Sequence, residues 1–132
     1  MIVLDTHTLV WWLGADKKRL SSTALKTINR ELASDQVVVS SISAWEIAML
    51  VQHNKLDLSM DVMVWLQEAG RIENLKFLPV DNVVAVKSRF LPGEFHPDPA
   101  DRIIVALARD LACPLVTADE KIRNYPHVAT IW

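Results

Sequence analysis

Short, unbroken apolar runs alternate with longer stretches of helical periodicity along this chain. Ile2-Val3-Leu4 and Val37-Val38-Val39-Ser40 show no polar alternation, the pattern of strands buried on both faces of a parallel sheet. Leu75 to Val80, closed by Pro79, reads as a third strand. Leu115-Val116-Thr117 reads as a fourth and Val128 to Trp132 as a last. Helical patterns fill the intervals. His7 to Leu13 is short and apolar, Asp16 to Arg19 is a charged turn, and Ser21-Ser22 cap a helix to about Ala33. Ala24, Leu25, Ile28 and Leu32 share one face of that helix. Ser43 and Glu46 have capping-box spacing and are expected to open the next helix. Asp61 to Gly70 follows, then a helix from Asn82 to Phe90 capped by Asp81. Asp98 is the expected N-cap of a helix starting near Pro99, since the missing proline N–H costs nothing in a first turn. Ile103, Ile104, Ala106, Leu107, Ala108 and Leu111 give that helix its apolar face, and Cys113-Pro114 ends it. Glu120 to Asn124 makes one or two further turns. This alternation predicts an α/β fold: a three-layer α/β/α sandwich with a central, mostly parallel sheet, residues 1–132 forming one domain.

Composition narrows the function classes. A 51% hydrophobic and 23% charged chain is a folding one. The single cysteine, Cys113, excludes an internal disulfide framework and a cysteine zinc site. The opening residues lack the basic region of a signal peptide, and Asp5 interrupts their apolar run. No run approaches the ~18 residues of a membrane span. A cytoplasmic, reducing location with no membrane partner is expected. The net charge of −2 excludes a constitutively basic nucleic-acid coat. A polyanion would need local basic patches or bridging metal ions, and Lys17, Lys18 and Arg19 form the densest basic cluster.

Four acids share one placement. Asp5 follows the first strand, and Glu46 sits early in the helix after the second. Asp101 lies in the first turn of a late helix, and Asp119 follows the fourth strand. Ligands of open α/β sheets bind outside the carboxyl ends of the strands. Four carboxylates on one rim repel, and Mg²⁺ or Mn²⁺ would relieve this through hard oxygen ligands. Two such ions about 4 Å apart can activate a water and stabilise the leaving oxygen of a phosphodiester. Capping alone is the plainer reading of Asp5 and Glu46, and it is compatible with metal binding. The five tryptophans are expected in the core.

These residues resemble a known family. Leu4-Asp5-Thr6-His7 with Trp11-Trp12, Ser43-Ala44-Trp45-Glu46-Ile47-Ala48 and Lys55-Leu56 match the VapC toxin type of PIN-domain protein. So do Leu91-Pro92, His96-Pro97-Asp98-Pro99-Ala100-Asp101-Arg102, Leu115-Val116-Thr117-Ala118-Asp119, Tyr125 and the Ile131-Trp132 ending. The resemblance covers essentially the whole chain. It implies a Mg²⁺-dependent endoribonuclease encoded beside an antitoxin that occludes its active site. RNA would be cut by two-metal-type hydrolysis to 5′-phosphate and 3′-hydroxyl ends. Asp5, Glu46, Asp101 and Asp119 match the family's acidic quartet as catalytic and metal-binding residues, and Asp98 is an auxiliary fifth acid. Thr6 and Thr117 are expected to hydrogen-bond the carboxylates or a metal-bound water, and Arg102 to pair with Asp98 or a phosphate. For His7 and His96, metal ligation, substrate contact and a structural hydrogen bond compete. The last is expected, because oxygen-preferring ions do not need imidazole. Two positions depart from the family: Ala100 stands where Phe is common, and Asn54 where Gly is frequent.

The partners implied are an RNA substrate, a cognate antitoxin and a second copy of the chain in a homodimer. Operator DNA would be reached only through the antitoxin. Apolar residues on the early helices are the expected docking groove. The alternative is a catalytically silent PIN-fold module acting through an antitoxin–DNA complex, which the intact quartet disfavours. A two-metal phosphatase or DNA nuclease would use the same acids.

Overall fold

The strand Ile2–Leu4 (β1) lies at the centre of the sheet. It pairs in parallel with Val37–Ser40 (β2) on one side and Leu115–Val116 (β4) on the other. Leu75–Leu78 (β3) joins β2 and Thr130–Ile131 (β5) joins β4, both in parallel, giving the order β3-β2-β1-β4-β5. The structure is a computed structural model that describes all 132 residues. The helices are Thr6–Leu13 (α1), Ser22–Ser34 (α2), Ser41–Gln52 (α3), Val62–Gly70 (α4), Asn82–Arg89 (α5), Pro99–Asp110 (α6) and Glu120–Arg123 (α7). The charged turn contains one 3₁₀ turn, Lys17–Arg19.

Alternate strand residues feed two cores. Ile2, Leu4, Val37, Val39 and Val116 pack with Leu9 and Trp12 of α1, Ile28 of α2, Ile47 of α3 and Trp65 of α4. Val3, Val38 and Leu115 pack with Val84 of α5, Ile104 to Ala108 of α6 and Ile122 of α7. With both faces covered, period-two alternation appears in the sequence as continuous apolar runs. The three-layer expectation holds, and every strand pairing is parallel rather than most of them.

Several boundaries move for physical reasons. β3 stops at Leu78, not Val80, because its partner Ser40 is the last residue of β2 and Pro79 has no N–H to donate. β5 shrinks to Thr130 and Ile131, opposite the two residues of β4. Ser40, not Ser43, caps α3, its hydroxyl accepting the Ile42 N–H at 3.2 Å. Helix α3 closes with Asn54 N–H on Val51 O and Lys55 N–H on Leu50 O. Asn54 takes φ 57° there, the left-handed conformation that glycine favours and asparagine tolerates. Asn54 is therefore compatible with a left-handed turn at this position. The same closure ends α6, with Ala112 at φ 51° and its neighbour Cys113 donating to Ala108 O. That turn stops the helix, and Pro114 merely follows it.

Trp12 and Trp65 are core residues as expected, but Trp45 is 59% exposed on α3. The other large exposed apolar side chains, Met1 aside, are Met60, Met63 and Val64 at α4 and Val83, Val86 and Phe90 at α5. None lies on α1 or α2, where the sequence suggests a docking groove. No helix is long and apolar enough to cross a membrane.

Candidate active site

The chain winds from β1 to β2 and β3 on one side, then returns through β4 and β5 on the other. The carboxyl ends of β1 and β4 therefore flank the point where the winding reverses, the crevice in which such sheets bind ligands. A cleft opens there, lined by Asp5, His7, Thr8, Trp11, Ala118 and Asp119. Asp5 and Asp119 line it because each occupies a strand-to-helix junction, whereas Asp98 and Asp101 open a helix that follows a loop and Glu46 lies within α3. Asp5 caps α1, Asp98 caps α6 and Asp119 caps α7, each accepting backbone N–H groups. Helix N-termini carry partial positive charge, so they favour carboxylates at these positions.

Asp5 is buried and held on both oxygens. Its Oδ1 accepts the Thr6 N–H at 2.8 Å, and its Oδ2 accepts the Thr117 hydroxyl at 2.7 Å. The fully buried Thr117 Oγ1 in turn accepts the Asp119 N–H at 3.1 Å, which ties the ends of β1 and β4 together. Thr6 Oγ1 donates to Glu46 Oε1 at 2.5 Å and lies 2.8 Å from Ser43 Oγ. A hydroxyl has one proton, so Ser43 must donate to Thr6 while Thr6 donates to Glu46. Ser43 is fully buried and belongs to the site. Its expected role as a cap hides this, although its spacing of three from Glu46 places both on one helix face.

Two auxiliary expectations change. Arg102 pairs with neither Asp98 nor the cleft. Its Nε donates to Ser88 O at 2.9 Å, and its Nη1 donates to Phe95 O at 2.9 Å and His96 O at 3.4 Å. It is a clamp on the loop before α6, because three backbone carbonyls converge on its planar fork. Neither His7 nor His96 makes the structural hydrogen bond expected of it. The His7 ring packs against Trp11 at 5.7 Å, and His96 Nε2 is buried without a hydrogen bond.

The electrostatics show that the acids share one field. Burial is the main reason the Asp101 carboxyl is pushed up to about 8, and the charges of Asp5, Asp98, Glu46 and Asp119 push it the same way. Glu46 is raised by burial and by Asp5 and Asp98, against the Thr6 hydrogen bond. Asp5 is raised by burial, opposed by Thr117, Thr6 and His7. Asp5, Glu46, Asp98, Asp101 and Asp119 thus feel one another's charge, and no arginine or lysine forms an ion pair with any of the five. No three of these side chains stand close enough to make a ready cage for an ion. The donor set is nonetheless all oxygen and strongly acidic. It fits a hard divalent ion of the Mg²⁺ kind, which keeps several waters and is held by few carboxylates.

Comparison with known proteins agrees with this geometry. The model of the PIN domain family matches residues 2–128. Ribonuclease VapC22 of Mycobacterium tuberculosis is 34% identical over 99% of this chain and 98% of its own length. A chain in the crystal structure of VapBC2 from Rickettsia felis bound to a promoter DNA fragment superposes with a TM-score of 0.70. It is 17% identical, with 98% of this chain and 97% of that chain covered. A chain of FitAcB from Neisseria gonorrhoeae gives 0.66 at 21% identity, covering 98% and 96%. A parallel sheet with carboxylates at its switch point, a family match over nearly every residue and a full-length relative agree: the chain belongs to the PIN-domain family, in its VapC group.

Proposed function

We propose that this protein is a Mg²⁺-dependent endoribonuclease, the toxin of a toxin–antitoxin pair. The observation that carries the reading is that Asp5, Asp98, Glu46 and Asp119 all add their charge to the burial that pushes the Asp101 carboxyl up to about 8. Such crowding is unfavourable in the metal-free protein and becomes favourable around a divalent cation. Asp5, Glu46, Asp101 and Asp119 would hold the ion, directly or through water. Asp98 remains chiefly the cap of α6, its Oδ1 accepting the Ala100 N–H at 2.9 Å.

A bound divalent ion supplies positive charge for the phosphate oxygens and makes deprotonation of an attacking water easier; a second ion would do the same for the leaving oxygen. The chain's own residues position and orient. Thr117 and Thr6 hold the Asp5 and Glu46 carboxylates through hydrogen bonds, which limits their motion. In the hydrolysis, a water oxygen bonds to phosphorus and the bond to the 3′-oxygen breaks. The departing oxygen takes a proton, leaving 5′-phosphate and 3′-hydroxyl ends. The basic turn flanks the cleft: the Arg19 guanidinium lies 5.1 Å from the ring of Trp11, a cleft-lining residue. Lys17, Lys18 and Arg19 are suited to steer a single-stranded or looped RNA toward the acids.

The relatives named as VapBC complexes and as a ribonuclease support the substrate and the antitoxin partner. A basic side chain from an antitoxin inserted among the acids would satisfy the same field as a cation. The test is cleavage of a defined RNA with Mg²⁺, with EDTA, and by Asp5→Asn. Cleavage should require the metal, fall at least ~10²-fold in the variant and leave ligatable 5′-phosphates. Cleavage that survives both EDTA and the substitution, or that leaves cyclic phosphates, contradicts the reading.

A further inference from the structure

We propose that His96 is a positioning residue for Asp101: its Nε2–H holds one carboxylate oxygen and so aims the other at the bound cation. The inference rests on the metal-site reading above and adds a residue that this reading leaves unused.

Three observations carry it. His96 Nε2 is buried, has no hydrogen bond, and lies 3.1 Å from Asp101 Oδ2. A buried ring nitrogen without a hydrogen bond is unfavourable, so a partner is expected for it. Asp101 is the one carboxylate within 4 Å of it. A small rotation of the Asp101 carboxylate, as it turns toward an ion, aligns this contact into a hydrogen bond.

The second observation is that the His96 ring is held firmly for that purpose. It stacks on Phe95 at 4.3 Å, and Phe95 stacks on Tyr125 at 4.7 Å. The Tyr125 hydroxyl donates to Pro92 O, anchoring the loop from its other end. The third is the Arg102 clamp, which binds the carbonyls of Phe95 and His96 themselves. Arg102 follows Asp101 directly, so one turn of α6 carries both the carboxylate and the anchor of the loop that presents His96. Such locking is what an orienting residue needs, because a mobile imidazole would not restrict the carboxylate.

The donor is the Nε2–H. Glutamine places an amide N–H near the same point, whereas the shorter asparagine reaches only the region of Nδ1. His96→Gln and His96→Asn lose the ring stack equally, so comparing them isolates the donor from packing. The measurement is Mn²⁺ binding to the metal-free protein at fixed pH, followed by the free-ion electron paramagnetic resonance signal. His96→Asn should bind Mn²⁺ roughly 10–100-fold more weakly, and His96→Gln within about threefold of the unsubstituted protein. In an Asp101→Asn background the two variants should bind alike, since the group they orient is gone. His96→Asn binding as tightly as the unsubstituted protein, or His96→Gln binding as weakly as His96→Asn, overturns the proposal. If the unsubstituted protein binds no Mn²⁺, the metal-site reading fails first and the role of His96 falls with it.

Discussion

Asp101→Asn should abolish RNA cleavage and at the same time make the metal-free protein more stable. The gain in stability comes from removing a carboxylate whose ionised form is penalised by burial first and by the neighbouring acids second. Asp101 titrates near 3.8 in an unfolded chain and near 8 in the fold. Below about pH 4 both states hold the proton, and the contribution to stability is fully present. As pH rises toward 8 the unfolded chain releases its proton while the folded one keeps it, so stability falls. The slope is up to ~1.4 kcal/mol per pH unit for one proton. Asparagine is neutral throughout and removes that slope. At pH 8 without metal, the variant should exceed the unsubstituted protein by on the order of 3 kcal/mol. Urea unfolding from pH 4 to 8 in EDTA measures this. Added Mg²⁺ should raise the midpoint of the unsubstituted protein and barely move that of the variant. Cleavage should drop by more than the roughly 10–100-fold typical of losing an outer supporting residue. An Asp101→Asn protein no more stable than its parent at pH 8 would mean that ionised Asp101 is not penalised by its burial beside the other acids.

Thr117→Val should be the most damaging of the isosteric changes. Its fully buried hydroxyl donates to Asp5 Oδ2 and accepts from the Asp119 N–H. Valine keeps the shape and strands both partners. Losing a hydrogen bond to a buried charge costs about 1.5–3 kcal/mol, and the orphaned amide adds to it. The loss should be largest at alkaline pH, where Asp5 is ionised. It should shrink in acid, because the folded-state Asp5 carboxyl is already raised by burial and takes a proton readily. Chemical unfolding at two pH values reads both features. An equal loss at both would assign the effect to packing rather than to the carboxylate.

Much of this was legible before any coordinates. Apolar runs without polar alternation give β1 and β2, because two covered faces leave no position free for a polar side chain. Asp5 and Asp119 stand out because each follows a strand and opens a helix, and Asp98 because it precedes the proline that starts α6. What escaped was mostly side-chain direction. Ser40, Ser41 and Ser43 are all competent caps, and only the register of β2 against β3 decides that Ser40 caps α3. That decision moves Ser43 from the helix end to the hydroxyl relay on Glu46. Arg102 looks like an ion-pair residue next to Asp101, yet the unpaired carbonyls of the preceding loop claim it. Nothing in the spacing of that loop reveals them. Trp45 sits in a helix that reads as apolar on every side, so its spacing alone does not mark it as the exposed residue.

The central claim is that distant segments bring Asp5, Glu46, Asp101 and Asp119 around one divalent cation. A crystal grown with Mn²⁺ and measured for anomalous scattering tests it most directly. The account predicts a strong peak in the crevice between the ends of β1 and β4, within direct or single-water reach of those four carboxylates. A well-ordered crevice with no peak, or a peak bound by other residues, would contradict it.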